Sequence, residues 1–302
     1  MKRRRTKPRP AATERAVSPA RAAIARLIQR LALRIARSAE AVRRNPGPEN
    51  LHALRIDVRR ARAVLRALEG ELNPRLNAEL NFDLKNLTRE TGRLRDADAR
   101  RQLLLPRIRA TLDLPIALKR DCASLIEQAR VDEHRVLKSR MHESAWTQRL
   151  ERIRTLARNA ELVAWLTQGT GDVVTLALSR GLRDLQRRMR RRGGGAGRLH
   201  RLRRRIRDTR YQAETLVPIA RRRATPLAKM LQKLQDRLGS AHDHMEARRF
   251  LVQDLLPLEA RAALAARLDR ELARQIRRCR KKLRAVAAKP PKHWTAWSVA
   301  AK

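Results

Sequence analysis

The chain has 302 residues, 42% of them hydrophobic, enough to bury a core as one large or two medium domains, which excludes a chain disordered throughout. Its formal net charge of +43 and pI of about 11.9 exclude cationic partners and point to a polyanion: a nucleic acid, an anionic membrane surface or an inorganic phosphate polymer. Aromatic residues make up only 2%, which argues against modules that read single-stranded bases by stacking but not against backbone-only binding.

Residues 1–17 are basic and proline-bearing and are expected to be a disordered tail; no apolar stretch follows, so they are not a secretory signal. Ser18-Pro19 is a helix start, and Ile24, Leu27, Ile28, Leu31, Ile35 and Val42 follow at helical spacing until Asn45-Pro46-Gly47-Pro48 ends the helix. The next helix carries Leu51, Leu54, Val58, Ala61, Leu65 and Leu68, a 3-4 alternation suited to bundle packing. Pro74 breaks the chain, and Leu80, Leu84, Leu87, Thr91 and Leu94 resume the rhythm. A long helix is expected from Pro115 to about Arg158, interrupted near His142–Ser144.

Gln168-Gly169-Thr170-Gly171 marks a boundary between two halves, about 18–167 and 172–289. A helix from about Asp172 to Arg192 runs into a flexible linker, Gly193-Gly194-Gly195-Ala196-Gly197. The helix beyond is ended or kinked by Pro218. Leu227, Leu231, Leu234 and Leu238 form another up to Gly239, and a last helix runs from about Leu258 to Ala288. Pro290-Pro291 closes the ordered region, leaving 290–302 as a tail that holds Trp294 and Trp297. Alternating β-branched residues are absent, so an all-α fold is expected. No apolar run approaches the roughly 18 residues that a membrane span needs.

Two helical segments repeat one pattern. His52, Arg55, Arg59 and Arg62 match His200, Arg203, Arg207 and Arg210 at a constant offset of 148 positions. The spacing 3, 4, 3 makes each set a cationic ladder with rungs roughly 5–6 Å apart. Arg60, Arg66 and Arg204 extend the two sets. In the first ladder each cation follows a core residue, so it flanks the buried seam, where a groove between packed helices opens. A face that needs only solubility has no reason to keep one register twice, and it would mix in acids. Crowded like charges require a partner, and that partner is a polyanion.

The repeat extends further: Leu84, Leu87, Gly92 and Asp96 match Leu231, Leu234, Gly239 and Asp243 at an offset of 147. A near-constant offset predicts a duplicated antiparallel bundle, two four-helix-type units related by pseudo-twofold symmetry around one basic central groove. Gly92 and Gly239 are read as helix ends, and Asp96 and Asp243 as caps or as orienters of a neighbouring arginine. Lys85, Arg89, Arg95, Lys229 and Lys233 are further wall candidates, and Tyr211 is a packing residue at the cleft edge. His52 and His200 either close the edge of the core or donate to a phosphate oxygen.

The motifs His52-x-x-Arg55-x-x-x-Arg59-Arg60-x-Arg62, Gly92-x-x-Arg95-Asp96, Leu199-His200-x-Leu202-Arg203-x-x-x-Arg207-x-x-Arg210-Tyr211-x-x-Glu214 and Leu238-Gly239-x-x-x-Asp243 resemble the CHAD family, the conserved histidine α-helical domain. The resemblance covers about residues 18–289. It implies two helical bundles around a basic pore that binds inorganic polyphosphate, and a location at cellular polyphosphate granules. The chain departs from the pattern at Asp208, where a second basic residue usually follows Arg207, and at His242, where an arginine usually accompanies Asp243. Both departures are expected to weaken the second half's share of the site.

Enzyme motifs are weak or missing. Gly193–Gly197 leads into arginine and leucine, so it is no P-loop, and no HExxH, CxxC or paired-carboxylate motif occurs. His242-Asp243-His244 diverge on a helix and have no third ligand, so no metal and no cofactor is expected. Cys122 and Cys279 are expected to be buried free thiols, as in a reducing cytosol. The sequence reads as a cytoplasmic, non-enzymatic polyphosphate binder, with weak nucleic-acid binding through net charge and an oligomeric state that it leaves open. The alternative is a sequence-independent nucleic-acid-binding protein; a polyphosphate-processing enzyme ranks third.

Overall fold

In the computed structural model the described residues are 18–110, 115–191, 196–220, 225–250, 258–290 and 292–295. They form helices and 3-10 turns without a strand among them: α1 (Pro19–Arg44), α2 (Pro48–Ala67), α3 (Pro74–Glu90), α4 (Gly92–Ala110), α5 (Ile116–His142), α6 (Ser144–Arg158), α7 (Thr170–Arg190), α8 (Ala196–Leu216), α9 (Thr225–Arg249), α10 (Leu258–Ala288) and the short α11 (Lys292–Thr295). The all-α expectation holds.

Local chemistry sets the helix starts. Ser18 Oγ accepts from the Arg21 N–H at 3.2 Å, with Pro19 in the first turn of α1. Asn73 Oδ1 accepts from the N–H groups of Arg75 and Leu76 and caps α3, again with a proline in its first turn. The predicted break at His142–Ser144 separates α5 from α6.

Residues from both predicted halves fall into one core. Ile24, Ile28 and Leu31 of α1 join Leu54, Val58 and Leu65 of α2, Leu84 of α3, Trp146 and Ile153 of α6, and Val174, Leu178 and Leu182 of α7. Ile206, Leu231 and Leu283 carry the same core into α8, α9 and α10. A second, smaller core holds Leu104, Leu105 and Ile108 of α4, Cys122 and Ile126 of α5, Ala247 of α9 and Leu268 of α10. Both cysteines are buried and free, and burial raises their thiol pKa values.

Several expectations change. The rhythm of residues 80–94 does not form one helix; α3 stops before Thr91, whose hydroxyl donates back to the Leu87 carbonyl at 2.7 Å, and α4 starts at Gly92. The position matching Thr91 in the second half is the apolar Leu238, and there α9 runs unbroken through Gly239, Ser240 and Asp243 to Arg249. Gly239 is therefore not a helix end. Ala196 and Gly197 belong to the first turn of α8, while Gly193–Gly195 lie outside the described residues, as do 1–17 and Trp297. The chain does not leave the core at Pro290. Trp294 on α11 is 1% exposed and sits in the main core.

Candidate functional site

The two ladder helices pack on each other in opposite directions. Arg66 reaches Asp208 at 2.8 Å, Gln212 Nε2 donates to the Ala63 carbonyl at 3.2 Å, and Arg60 meets Glu214 at 3.5 Å, so numbers rise along α2 as they fall along α8. Behind them, Gly181 lets α7 close on α8, because a Cβ there would stand 2.8 Å from Gln212 Oε1. Gln212 is fully buried, and its amide ties the two helices at their crossing.

The ladder arginines are drawn into this contact. Arg55 Nη1 donates to the Thr88 carbonyl at 2.8 Å, at the break between α3 and α4. Burial first, then the charge of Arg59, push the Arg55 pKa down to about 10, and Asp96 partly offsets this. Arg207 is likewise down at about 10, from burial and then Arg59. Arg203 is lowered by burial and by Arg59, with Asp243 opposing; Arg62 is lowered by burial and then Arg66. Arg59 thus stands where the ladders meet, perturbing two arginines of α8 and one of its own helix. All these guanidinium groups remain charged at neutral pH.

The donors of this cluster outnumber its acceptors. The buried Nε atoms of Arg55, Arg62, Arg203, Arg207 and Arg210 have no hydrogen-bond partner. A buried donor without an acceptor costs roughly 1–3 kcal/mol, more for a charged group, so such groups are seldom left without a role. Gly92 and Gly239 lie under the first arginine of each ladder: a Cβ would sit 3.7 Å from Arg55 Nη1 and 3.9 Å from Arg203 Nε. The guanidinium groups thus lie in ordinary van der Waals reach of the two glycine positions. Asp96 and Asp243 act on those same two arginines through charge.

His52 and His200 stand one turn before Arg55 and Arg203. Desolvation first, then Arg95, Arg59 and Arg55, lower the His52 pKa. Desolvation, His242, Arg204, Arg203 and Arg207 lower that of His200, whose ring meets His242 edge-on at 5.0 Å between centroids. His242 occupies the register position of Arg95, so each histidine faces the matching residue of the other repeat motif. Tyr211 is buried, with the guanidinium groups of Arg210 and Arg60 4.6 and 5.6 Å from its ring centre.

Not every predicted residue joins the cluster. Arg60 and Arg66 are engaged by Glu214 and Asp208, so they fasten α2 to α8. Asp208, expected only to weaken the site, is one half of that fastening. Arg204 is exposed near Arg62 and His200, and Lys85 is exposed one turn before Thr88. Arg95 faces His52 and Arg55 as expected. Arg89 instead bonds Asn86 at 2.7 Å and lines a cavity of about 320 Å³ with Glu90, Arg93, Arg140 and Trp146. Lys229 and Lys233 line a largely apolar cleft of about 820 Å³ beside Met230, Leu234, Lys282 and Val286, on the α10 side of α9. One step along a helix is about 100°, and a cation flanking the seam on the wrong side is lost to the site. Gln232, which accepts from Arg210 Nη1, was missed because a neutral amide carries no charge signal; it lies seven residues before Gly239, on the same face. Among the described residues no three His, Cys, Asp or Glu side chains converge as a metal site, and no helix is long and apolar enough to cross a membrane.

A family model described as CHAD domain matches residues 26–252, a span that holds both ladders and both glycine–aspartate motifs. The chain belongs to the CHAD family. It is similar in structure to the CHAD domain from the plant Ricinus communis, at 21% identity over 93% of this chain and 91% of that one, with a TM-score of 0.62. It is also similar to PptA from Streptomyces chartreusis, at 19% identity over 90% and 99% of the two chains, with a TM-score of 0.65. At these identities the likeness is one of fold. Among curated protein sequences none matches the chain.

Proposed function

We propose that this CHAD protein binds inorganic polyphosphate, without catalysis, in a basic groove along the crossing of α2 and α8. The observation that carries the reading is the set of buried ladder Nε–H donors, drawn from both helices, that lack acceptors. A linear chain of phosphates supplies acceptors and negative charge at every unit. Arginine answers it with paired, charge-assisted hydrogen bonds, and counterion release adds affinity.

The halves behave as a pseudo-twofold pair. Exchanging residues by the 148-residue offset turns the Arg55–Arg207 interaction into the Arg203–Arg59 one, and both perturb pKa values here. The same exchange turns Arg66–Asp208 into Glu214–Arg60, the second fastening. The groove therefore runs across a local dyad near Arg59 and Arg207, and its ligand needs no direction, as befits a symmetric polymer. We place its walls at the α3–α4 break and at α9, and we expect a passage wide enough for a thin chain and too narrow for a duplex. The family's link to polyphosphate supports the same ligand, and we place the protein in the cytoplasm at polyphosphate granules.

The test is charge reversal. Arg59→Glu with Arg207→Glu abolishes binding of long-chain polyphosphate at about 0.15 M salt, whereas Arg3→Glu with Arg5→Glu lowers it only slightly. Equal losses would mean that net charge alone holds the polymer.

A further inference from the structure

Helix α10 carries a second cationic array that the groove does not use. Arg267, Arg270, Arg274, Arg277, Lys281 and Arg284 recur at spacings of 3, 4, 3, 4 and 3, and all six are exposed. They form one straight stripe about 25 Å long. The opposite face of α10, with Leu268, Cys279, Leu283 and Val286, is buried.

Some cations elsewhere on the surface share acids, while others, such as Arg26, Arg30, Arg37 and Arg183, stand exposed without one among the described residues. Arg43 and Arg44 share Glu40, Arg187 and Arg188 share Asp184, and Arg34 holds Asp57. Beside the stripe of α10, Asp269 is taken by Arg248, and Glu271 is divided between Arg267 at 3.5 Å and His244 at 3.9 Å. Among the described residues Arg270, Arg274, Arg277, Lys281 and Arg284 have no carboxylate within 4.0 Å. Like charges one turn apart disfavour the helix by a few tenths of a kcal/mol per pair. The first half matches the stripe only in part. At the 147-residue offset Arg267 and Arg277 correspond to Arg120 and Arg130 of α5 and Lys281 to His134, but Arg270, Arg274 and Arg284 correspond to Ala123, Glu127 and Leu137. A groove built from matching halves does not require it.

We propose that the exposed stripe of α10 is a docking surface for the sugar-phosphate backbone of duplex nucleic acid, separate from the groove and independent of the reading given to it. The stripe stands open to solvent, so nothing on α10 itself blocks a duplex that the groove would exclude. Over its length a duplex presents roughly fifteen phosphate charges, one per 1.7 Å of axis. The face holds no aromatic side chain and no apolar one larger than the exposed Ala266, Ala285 and Ala288, so it has nothing to stack on bases and little to insert into a bilayer, and binding is independent of sequence. The chain then has two polyanion sites of different shape, one for a thin polymer and one for a duplex.

The experiment uses the full-length protein, a labelled 30-base-pair duplex and long-chain polyphosphate, with duplex affinity measured by anisotropy across a salt series. Neutralising four phosphate-binding cations together, as Arg270→Gln, Arg274→Gln, Arg277→Gln and Lys281→Gln, makes the log–log salt slope shallower by about 3–4 and weakens duplex binding roughly a hundredfold or more near 0.15 M salt. Glutamine keeps the helix and relieves the like-charge crowding, so the melting temperature holds or rises slightly and polyphosphate affinity stays at the wild-type value. The charge-matched variant with Arg26, Arg30, Arg37 and Arg183 changed to Gln retains duplex binding, and duplex still binds when polyphosphate saturates the groove. Equal losses in both variants, or competition of duplex with polyphosphate one for one, overturns the proposal. Binding to vesicles of 30% phosphatidylserine without binding to duplex overturns it too. Stripe-dependent duplex binding by a protein that ignores polyphosphate would uphold this surface and refute the groove's reading instead.

Discussion

Replacing Arg59 by methionine should make the free protein more stable and a poorer ligand binder at once. Arg59 sits at the meeting of the two ladders, and its charge is the second-largest cause, after burial, of the depressed pKa of both Arg55 and Arg207. Each of those guanidinium groups is held at about 10, a displacement from the ordinary value worth ~3 kcal/mol. Arg59 accounts for less than half of it, because burial contributes more. Taken over Arg55 and Arg207 and discounted for solvent screening, its removal should stabilise the folded state by ~1–2 kcal/mol, and relief of Arg203 acts in the same direction. Methionine keeps most of the aliphatic stem, so little packing is lost. For a chain of this size the melting temperature should rise by about 2–6 °C. Polyphosphate affinity should fall roughly 10- to 100-fold, the worth of one charge-assisted contact with its counterion. Thermal melts with and without polyphosphate give both quantities. A variant that melts lower than the wild type, or that binds as well, would refute the view that the ladders repel each other until a polyanion arrives.

Protonation should act in the same sense. The pKa values of His52 and His200 lie below the ordinary range, so the unfolded chain takes up protons first. The free protein's stability is then fully present above about pH 6.5 and is lost as pH falls through the folded-state values, while polyphosphate affinity rises. Melts at pH 8.0, 6.5 and 5.5 check this, and His52→Gln with His200→Gln should flatten both trends. Asp208→Asn frees Arg66 and Arg207 for ligand, so it should tighten polyphosphate binding a few-fold while costing about 1 kcal/mol of stability; calorimetry beside urea titration reads the two. Trp294→Ala should cost ~3–5 kcal/mol in denaturant unfolding, since the side chain is fully buried; an exposed tail residue would cost next to nothing.

The helices and the two ladders were legible because they rest on strong periodic signals. Leucines at 3-4 spacing mark the seam, and a repeated His-x-x-Arg register marks the site. What depends on a single side chain against the backbone was not legible. α3 and α4 part at Thr91, whereas the matching Leu238 lies within the unbroken α9, and both positions fit the same apolar pattern. Asp208 and Glu214 read as a local departure and a family match, yet in the structure they pair with Arg66 and Arg60, 142 and 154 residues away in the chain. Arg89, Lys229 and Lys233 were wall candidates whose side-chain direction a helix register leaves open, and the structure sets Arg89 on Asn86 and the two lysines in a cleft on the α10 side of α9. Trp294 looked like part of a tail because it follows two prolines in the sequence, but α11 carries it into the core.

The central claim is that the groove selects polyphosphate, and competition tests it most directly. Full-length protein with the α10 stripe neutralised, holding fluorescent long-chain polyphosphate at about 0.15 M salt, is challenged with duplex DNA, RNA and short phosphates at equal phosphate concentration. The account predicts that unlabelled polyphosphate displaces the label and that the nucleic acids and short phosphates do so at least tenfold less well. Equal displacement per phosphate by DNA or RNA would contradict it and make the ladders a general polyanion surface.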